Sequence, residues 1–142
     1  MTSALSSQKC ESCAGLPPLT AEEVIALIKN PEVEGWVFAG DGQTSRINRT
    51  FQFEATDNKG WNKAWEKSAE FVRKMLDLMT EENHHAAYTH VPAKKGGSVS
   101  VILVTHAVKG LSKNDFRMAA KLNRLYDYEQ RRKEQAAFSM KR

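Results

Sequence analysis

Ile47-Asn48-Arg49-Thr50-Phe51-Gln52-Phe53-Glu54-Ala55 alternates along its length. Ile47, Phe51, Phe53 and Ala55 fall on one face of an extended chain, and Asn48, Thr50, Gln52 and Glu54 on the other. One face is buried and one is wet, which suits an antiparallel sheet with helices on one side.

Working outward, Gly35-Trp36-Val37-Phe38 reads as a preceding strand, with turn residues at Gly40-Asp41-Gly42. Upstream, Thr20-Ala21-Glu22-Glu23 is a capping box, a hydroxyl with a carboxylate three residues on. It opens a short helix carrying Val24, Ile25, Leu27 and Ile28, which Asn30-Pro31 ends. Downstream, a long helix is expected from about Gly60 to Glu82. Trp61, Ala64, Trp65, Ala69, Val72, Leu76 and Met79 recur every three or four residues as its core stripe. Tyr88 to Val91 reads as a third strand broken at Pro92, and Lys94-Lys95-Gly96-Gly97 as a hairpin turn.

Val99 to Thr105 is a fourth strand, expected to lie centrally or at a subunit interface. Val99, Val101 and Leu103 fill one face; Ile102 and Val104 on the other imply a cover there too, as another subunit would give. Ser112-Lys113-Asn114-Asp115 opens a last helix with stripe Phe116, Ala119, Leu122 and Tyr126. The order is α-β-β-α-β-β-α, an α+β fold. The chain divides into a disordered lead at 1–18, one domain at 19–128 and a basic helical tail at 129–142.

With 142 residues, 41% apolar and 27% charged, the chain suits one globular domain. No apolar run approaches the roughly 20 residues of a membrane span. The first twenty residues hold one lysine and no apolar stretch, so a secretory leader is not expected. A cytoplasmic location follows by default, with a nuclear one also open.

The net charge of +4 raises nucleic acid as a partner. Most of it sits at the end, however. Residues 129–142 hold Arg131, Arg132, Lys133, Lys141 and Arg142 against Glu129 and Glu134. Cations suit a helix C-terminus, and no aromatic-interleaved basic patch is present. The pair Cys10 and Cys13 forms a CxxC in a Ser-rich segment before Pro17-Pro18, without the further ligands zinc needs. Neither a phosphate-cradling glycine loop nor a nucleophile elbow occurs.

Chemistry concentrates at His84-His85, just past the long helix, and at His106, which follows Thr105 at the end of the most apolar strand. Element ends present side chains rigidly to a cleft. Such histidines can exchange protons near neutral pH, bind zinc, or be structural. Spacing alone leaves all three open.

The segments Thr50-Phe51-Gln52-Phe53, Asn62-Lys63-Ala64-Trp65, Asn83-His84-His85 and Thr105-His106-Ala107-Val108-Lys109-Gly110-Leu111-Ser112-Lys113-Asn114-Asp115 occur in one order. In that order they resemble the pterin-4a-carbinolamine dehydratases over about residues 19–126. The resemblance implies a four-stranded antiparallel sheet with three helices on one face, and a homodimer or homotetramer. It implies dehydration of a 4a-hydroxytetrahydropterin in tetrahydrobiopterin recycling, with no metal or cofactor. Catalytic positions fall on His84, His85 and His106, and substrate contacts on His85, Tyr88, Asp115, Asn83 and Thr105.

Asp115 also reads as a simple capping partner of Ser112, and His90 matches no family position. Thr80 stands where many members carry Glu, with Glu81 and Glu82 beside it, and Ala86 replaces the usual Pro. Some members double as a dimerisation cofactor for a transcription factor, so a non-catalytic protein-interaction role is the alternative.

Overall fold

The structure, a computed structural model, describes residues 4–12, 16–40, 45–54, 61–93, 96–105 and 110–140. The helices are α1 (Ala21–Ile28), α2 (Trp61–Glu82) and α3 (Lys113–Met140). The strands are β1 (Val37–Gly40), β2 (Ser45–Glu54), β3 (Ala87–Ala93) and β4 (Gly96–Leu103). They form one antiparallel sheet in the order β1-β2-β4-β3. The α-β-β-α-β-β-α order and the central place of the fourth strand are as expected.

Register explains the layering. Ile47, Phe51 and Phe53 of β2 stand opposite Leu103, Val99 and Gly97 of β4. Facing residues share a side of the sheet, so these build the buried, helix-covered face. The other face carries Asn48, Thr50 and Gln52 beside Ile102, Ser100 and Ser98. Ile102 is 38% exposed, so within the chain this face is uncovered; it is the face for which cover by another subunit is expected. Serines 98 and 100 make it wetter than Ile102 and Val104 alone suggest.

Arg49 breaks the alternation on the buried side. Its guanidinium lies 4.5 Å from the Phe51 ring centroid and donates to Asn123 Oδ1. The charge is thus covered by aromatic faces and a carbonyl rather than left in hydrocarbon. Gly35, at φ +91°, leaves room for it: a Cβ there would sit 2.8 Å from Arg49 Nε.

The local signals act as their chemistry requires. The Thr20 hydroxyl accepts from Glu23 N–H, and the Glu23 carboxylate accepts from Thr20 N–H, a closed capping box. Pro92 does not break β3, which runs through it to Ala93. The strand is an edge, where a missing N–H costs no ladder bond. The first strand starts two residues later than expected, at Val37.

The buried stripe of α2 is rotated from the expected one by about one residue. Phe71, Met75 and Met79 are buried, while Val72 is half-buried and Leu76 is 41% exposed. Apolar residues at both 71/75 and 72/76 make a wide stripe whose centre only the partner can decide. Here Phe71 packs at 4.9 Å from Phe51 and 5.5 Å from Phe53. The side chains of Trp61, Ala64 and Trp65 lie outside the described set, as do the turns placed at 41–42 and 94–95.

The lead expected to be disordered is, over residues 4–12, a strap laid on α3. Leu5 is 4% exposed and joins the core. The Leu5 and Ser6 N–H groups and the Ser6 hydroxyl donate to the Glu32 carboxylate. One buried leucine and one carboxylate that satisfies a short 3-10 turn offset the ordering entropy that composition alone made prohibitive. The strap also explains why residues 114–120 of α3 are buried all round: the sheet side covers one face and the strap another.

Burial would push the Glu32 carboxyl up, but the hydrogen bonds from Leu5 and Ser6, with Arg124 nearby, outweigh it and hold it below its ordinary 4.5. A carboxyl lowered by folding adds stability that is present above the ordinary value and lost as pH falls through the folded one. Protection of the Leu5 and Ser6 amides against hydrogen exchange should therefore decline as pH drops below about 4.5. Separately, Phe71→Ala should cost about 3–5 kcal/mol in urea unfolding, and Leu76→Ala less than about 1 kcal/mol, since that side chain is already largely wet.

Candidate active site

Helix α2 ends by turning left-handed. Asn83 has φ +52°, its N–H bonds Thr80 O at 3.2 Å, and His84 N–H bonds Met79 O at 3.1 Å. This is a Schellman motif, and Asn is among the few residues that tolerate that backbone region. The turn drives His84 inward, to 4% exposure, and leaves His85 exposed.

On the other side, Thr105 lies just beyond β4 and forms an isolated bridge with Gly110, N–H to O at 2.8 Å. Ser112 then stands at the N-cap position of α3. The Asp115 carboxylate receives both arrivals. Its Oδ2 accepts from the Thr105 hydroxyl at 2.7 Å and from Ser112 N–H at 2.9 Å. Its Oδ1 lies 2.8 Å from His84 Nε2. Ser112 Oγ is 2.7 Å from Thr105 Oγ1. Thr105 gives its hydrogen to the carboxylate, so Ser112 donates to Thr105. All four residues are buried.

With the Asp115 carboxylate accepting its other hydrogen bonds, His84 Nε2 is assigned as the donor to Oδ1. In the neutral ring this leaves Nδ1 as the acceptor nitrogen. A buried carboxylate on one ring nitrogen fixes the orientation of the imidazole, which such an arrangement can use to exchange protons through the other nitrogen. Asp115 is thus both the capping partner that its spacing from Ser112 suggests and the holder of His84. A single sequence could suggest the first role, whereas the second depends on a contact 31 positions apart.

The other expected residues are placed as follows. Tyr88 stands opposite Val101, on the helix-covered side of edge strand β3, and is 40% exposed. Asn83 supplies the left-handed turn. His106 lies outside the described residues, directly after Thr105 in the chain. His90 Nε2 is 2.9 Å from the Ser68 hydroxyl, itself wholly buried, which fits a structural histidine.

Neither Glu81 nor Glu82 is placed beside His84 in the way the Glu usual at position 80 suggests. Thr80 bonds its own helix at Leu76 O, Glu81 is exposed, and Glu82 accepts from Cys10 N–H. Cys10 is half-buried beside Asn114, and Cys13 is outside the described residues. A cavity of about 490 Å³ between α1 and β1 is lined by Leu19, Ile25, Phe38, Gly110 and Leu111, and Asp115 is not among its lining residues. Among the described residues no helix is long and apolar enough to cross a membrane.

Residues 17–125 match the family of pterin 4 alpha carbinolamine dehydratases. The chain belongs to that family. Family membership makes it a dehydratase, a hydro-lyase. Two similar proteins are provisionally named pterin-4-alpha-carbinolamine dehydratases. The one from Chlorobium luteolum is 36% identical, over 86% of this chain and 95% of that protein. The one from Nitrosococcus oceani is 31% identical, over 85% and 95%. A solved structure of a transcriptional coactivator/pterin dehydratase from Brucella melitensis is 24% identical, covering 78% of this chain and 99% of that one at a TM-score of 0.47.

Asp115→Asn keeps the shape but presents an amide NH₂ on one side, where every neighbour donates. It should cost about 1–3 kcal/mol in urea unfolding. It should also change the His84 imidazole tautomer pattern in ¹⁵N NMR; an unaltered pattern would refute the carboxylate's hold on the ring.

Proposed function

We propose that the chain removes water from a 4a-hydroxytetrahydropterin by histidine acid–base catalysis, in tetrahydrobiopterin recycling. The observation that carries this reading is the buried His84–Asp115 pair, braced by Thr105, the residue that immediately precedes His106. The substrate class comes from family membership.

The reaction is balanced by two proton transfers. A proton is delivered to the hydroxyl on C4a, which leaves as water. The N5 proton is removed as the C4a–N5 bond becomes double, giving the quinonoid dihydropterin. No electrons are exchanged with another reagent, so the reaction needs no redox cofactor.

His84 and His106 take the proton transfers in this reading, each worth roughly 10²–10⁴-fold. His85, exposed at the helix exit, contacts the pterin, and Tyr88 walls the flat ring. Asn83, exposed at the helix exit, lines the approach, while Thr105 braces the Asp115 carboxylate that holds His84. Thr105 and Asp115 act through hydrogen bonds that keep an imidazole in one orientation, the kind of support that precise proton transfer requires.

A homodimer or homotetramer in the cytoplasm belongs to the same reading. It is supported by the uncovered sheet face, where Val37, Val91 and Ile102 are exposed. A protein-interaction role is the second reading; Thr80, which contacts its own helix rather than the site, favours it.

Turnover of freshly generated 4a-hydroxytetrahydropterin tests the proposal. His84→Ala and His106→Ala should each lower kcat by about 10²-fold or more, and His85→Ala should mainly raise KM. Wild-type kcat in both of the first two variants would overturn the assignment. An inactive wild type that still folds would favour the interaction role.

A further inference from the structure

Two consecutive residues of the strap each hold one side of the His84–Asp115 pair. Cys10 N–H donates to Glu82 Oε2 at 2.8 Å, two residues before His84. Glu11 N–H donates to Asn114 Oδ1 at 2.9 Å, and Asn114 Nδ2 donates back to Glu11 O at 2.7 Å. Asn114 directly precedes Asp115. The strap therefore spans from the end of α2 to the start of α3, the two elements whose separation sets the His84–Asp115 distance.

Neighbouring contacts stiffen the span. Lys121 Nζ reaches Ser6 O at 3.0 Å and Glu82 Oε1 at 3.2 Å. Arg117 donates to Gln8 Oε1 and to Asn114 Oδ1, each at 3.0 Å. Asn114 is wholly buried, and the Glu82 and Lys121 side chains are largely so. Burial pushes the Glu82 carboxyl up, yet the Cys10 N–H and Lys121 outweigh it and hold it down, so it stays an anion in this clamp. A surface cover would need only apolar contact, which Leu5 supplies; these bonds instead converge on residues flanking the pair.

We infer that residues 4–12 are a positioning strap that sets His84 against Asp115, with Glu82 and Asn114 as positioning residues. The kinetic consequence rests on the dehydratase reading; the geometric one does not. A displacement of about 1 Å in a proton-transfer group can cost on the order of 10²-fold in rate, so the strap's grip is expressed in turnover.

The test uses the full chain with Glu82→Ala, Glu82→Gln and Cys10→Pro. The first removes the anchor, the second keeps an oxygen acceptor for Cys10 N–H, and the third removes that N–H from the strap side. The readouts are the His84 imidazole signals in ¹⁵N NMR, taken without substrate well below the melting temperature, and kcat with KM for the 4a-hydroxytetrahydropterin. Glu82→Ala and Cys10→Pro should both shift the His84 signals and lower kcat about tenfold with KM within about twofold. Glu82→Gln should stay near wild type in both.

Folded variants with wild-type His84 signals would overturn the inference, whatever their melting temperatures. So would Glu82→Gln behaving like Glu82→Ala while Cys10→Pro behaves like wild type, since the Lys121 ion pair would then be responsible. Should Glu82→Ala not fold, Cys10→Pro decides. A wild type with no dehydratase activity would sink the substrate assignment alone, because the His84 signals still decide the strap.

Discussion

The Asp115 carboxylate is the constraint on which the arrangement of this protein depends. It is buried, and burying a charge is costly unless every lone pair finds a donor. Here the donors come from three separate parts of the chain: Ser112 at the helix cap, Thr105 beyond the central strand, and His84 beyond the long helix. A carboxylate that must be satisfied by all three fixes how α2, β4 and α3 meet. The register of β2 against β4 and the packing of Phe71 on Phe51 and Phe53 bring those elements near one another. The carboxylate makes one of the near arrangements the right one.

Helix α3 shows what that costs. Its first turns carry Asn114, Asp115, Arg117 and Asn123 at buried positions alongside Phe116, Met118, Ala119 and Leu122. A helix so enclosed needs cover on more than one side. The sheet core covers one, and the strap, with Leu5 set into the core, covers another. Asn123 does for the opposite end what Asp115 does for the site. It accepts from Trp36 Nε1 and Arg49 and donates to the Glu32 and Glu34 carbonyls, tying the segment before β1 to the helix.

Much of the fold was legible because its signals are local. Alternation over residues 47–54 marks β2, and the Thr20 capping box marks the start of α1. Local signals decide less where a distant partner sets the outcome. The centre of the α2 stripe depends on where Phe51 and Phe53 sit, and Pro92 is acceptable only because β3 turns out to be an edge. Arg49 on a buried face has no local signature at all; its shelter is Asn123, 74 residues away. The strap differs from the expected disordered lead for the same reason. Its Ser-rich composition describes an unpartnered chain, whereas its partners are Glu32, Glu82, Asn114 and Lys121. At the site, His84, Thr105 and Asp115 were legible as residues, and the structure brings them together. The turn at Asn83 that sends His84 inward and leaves His85 outward was not legible.

The double use of Asp115 carries a physical consequence for how such a site can change. A carboxylate recruited only to orient an imidazole must be held by further groups, each with its own ordering entropy. One that already caps a helix is held at no such extra cost, because the cap is needed in any case to satisfy an orphan N–H. The division of labour between its two oxygens then matters. Oδ2 serves the fold through Ser112 and Thr105, while Oδ1 serves His84, so the ring can be altered without uncapping α3. The reverse does not hold: any change at Asp115 acts on the fold and on the imidazole together. The departure at Thr80 is consistent with this asymmetry. That side chain faces solvent on its own helix, outside the network, so exchanging a carboxylate for a hydroxyl there leaves both oxygens of Asp115 with the partners they have.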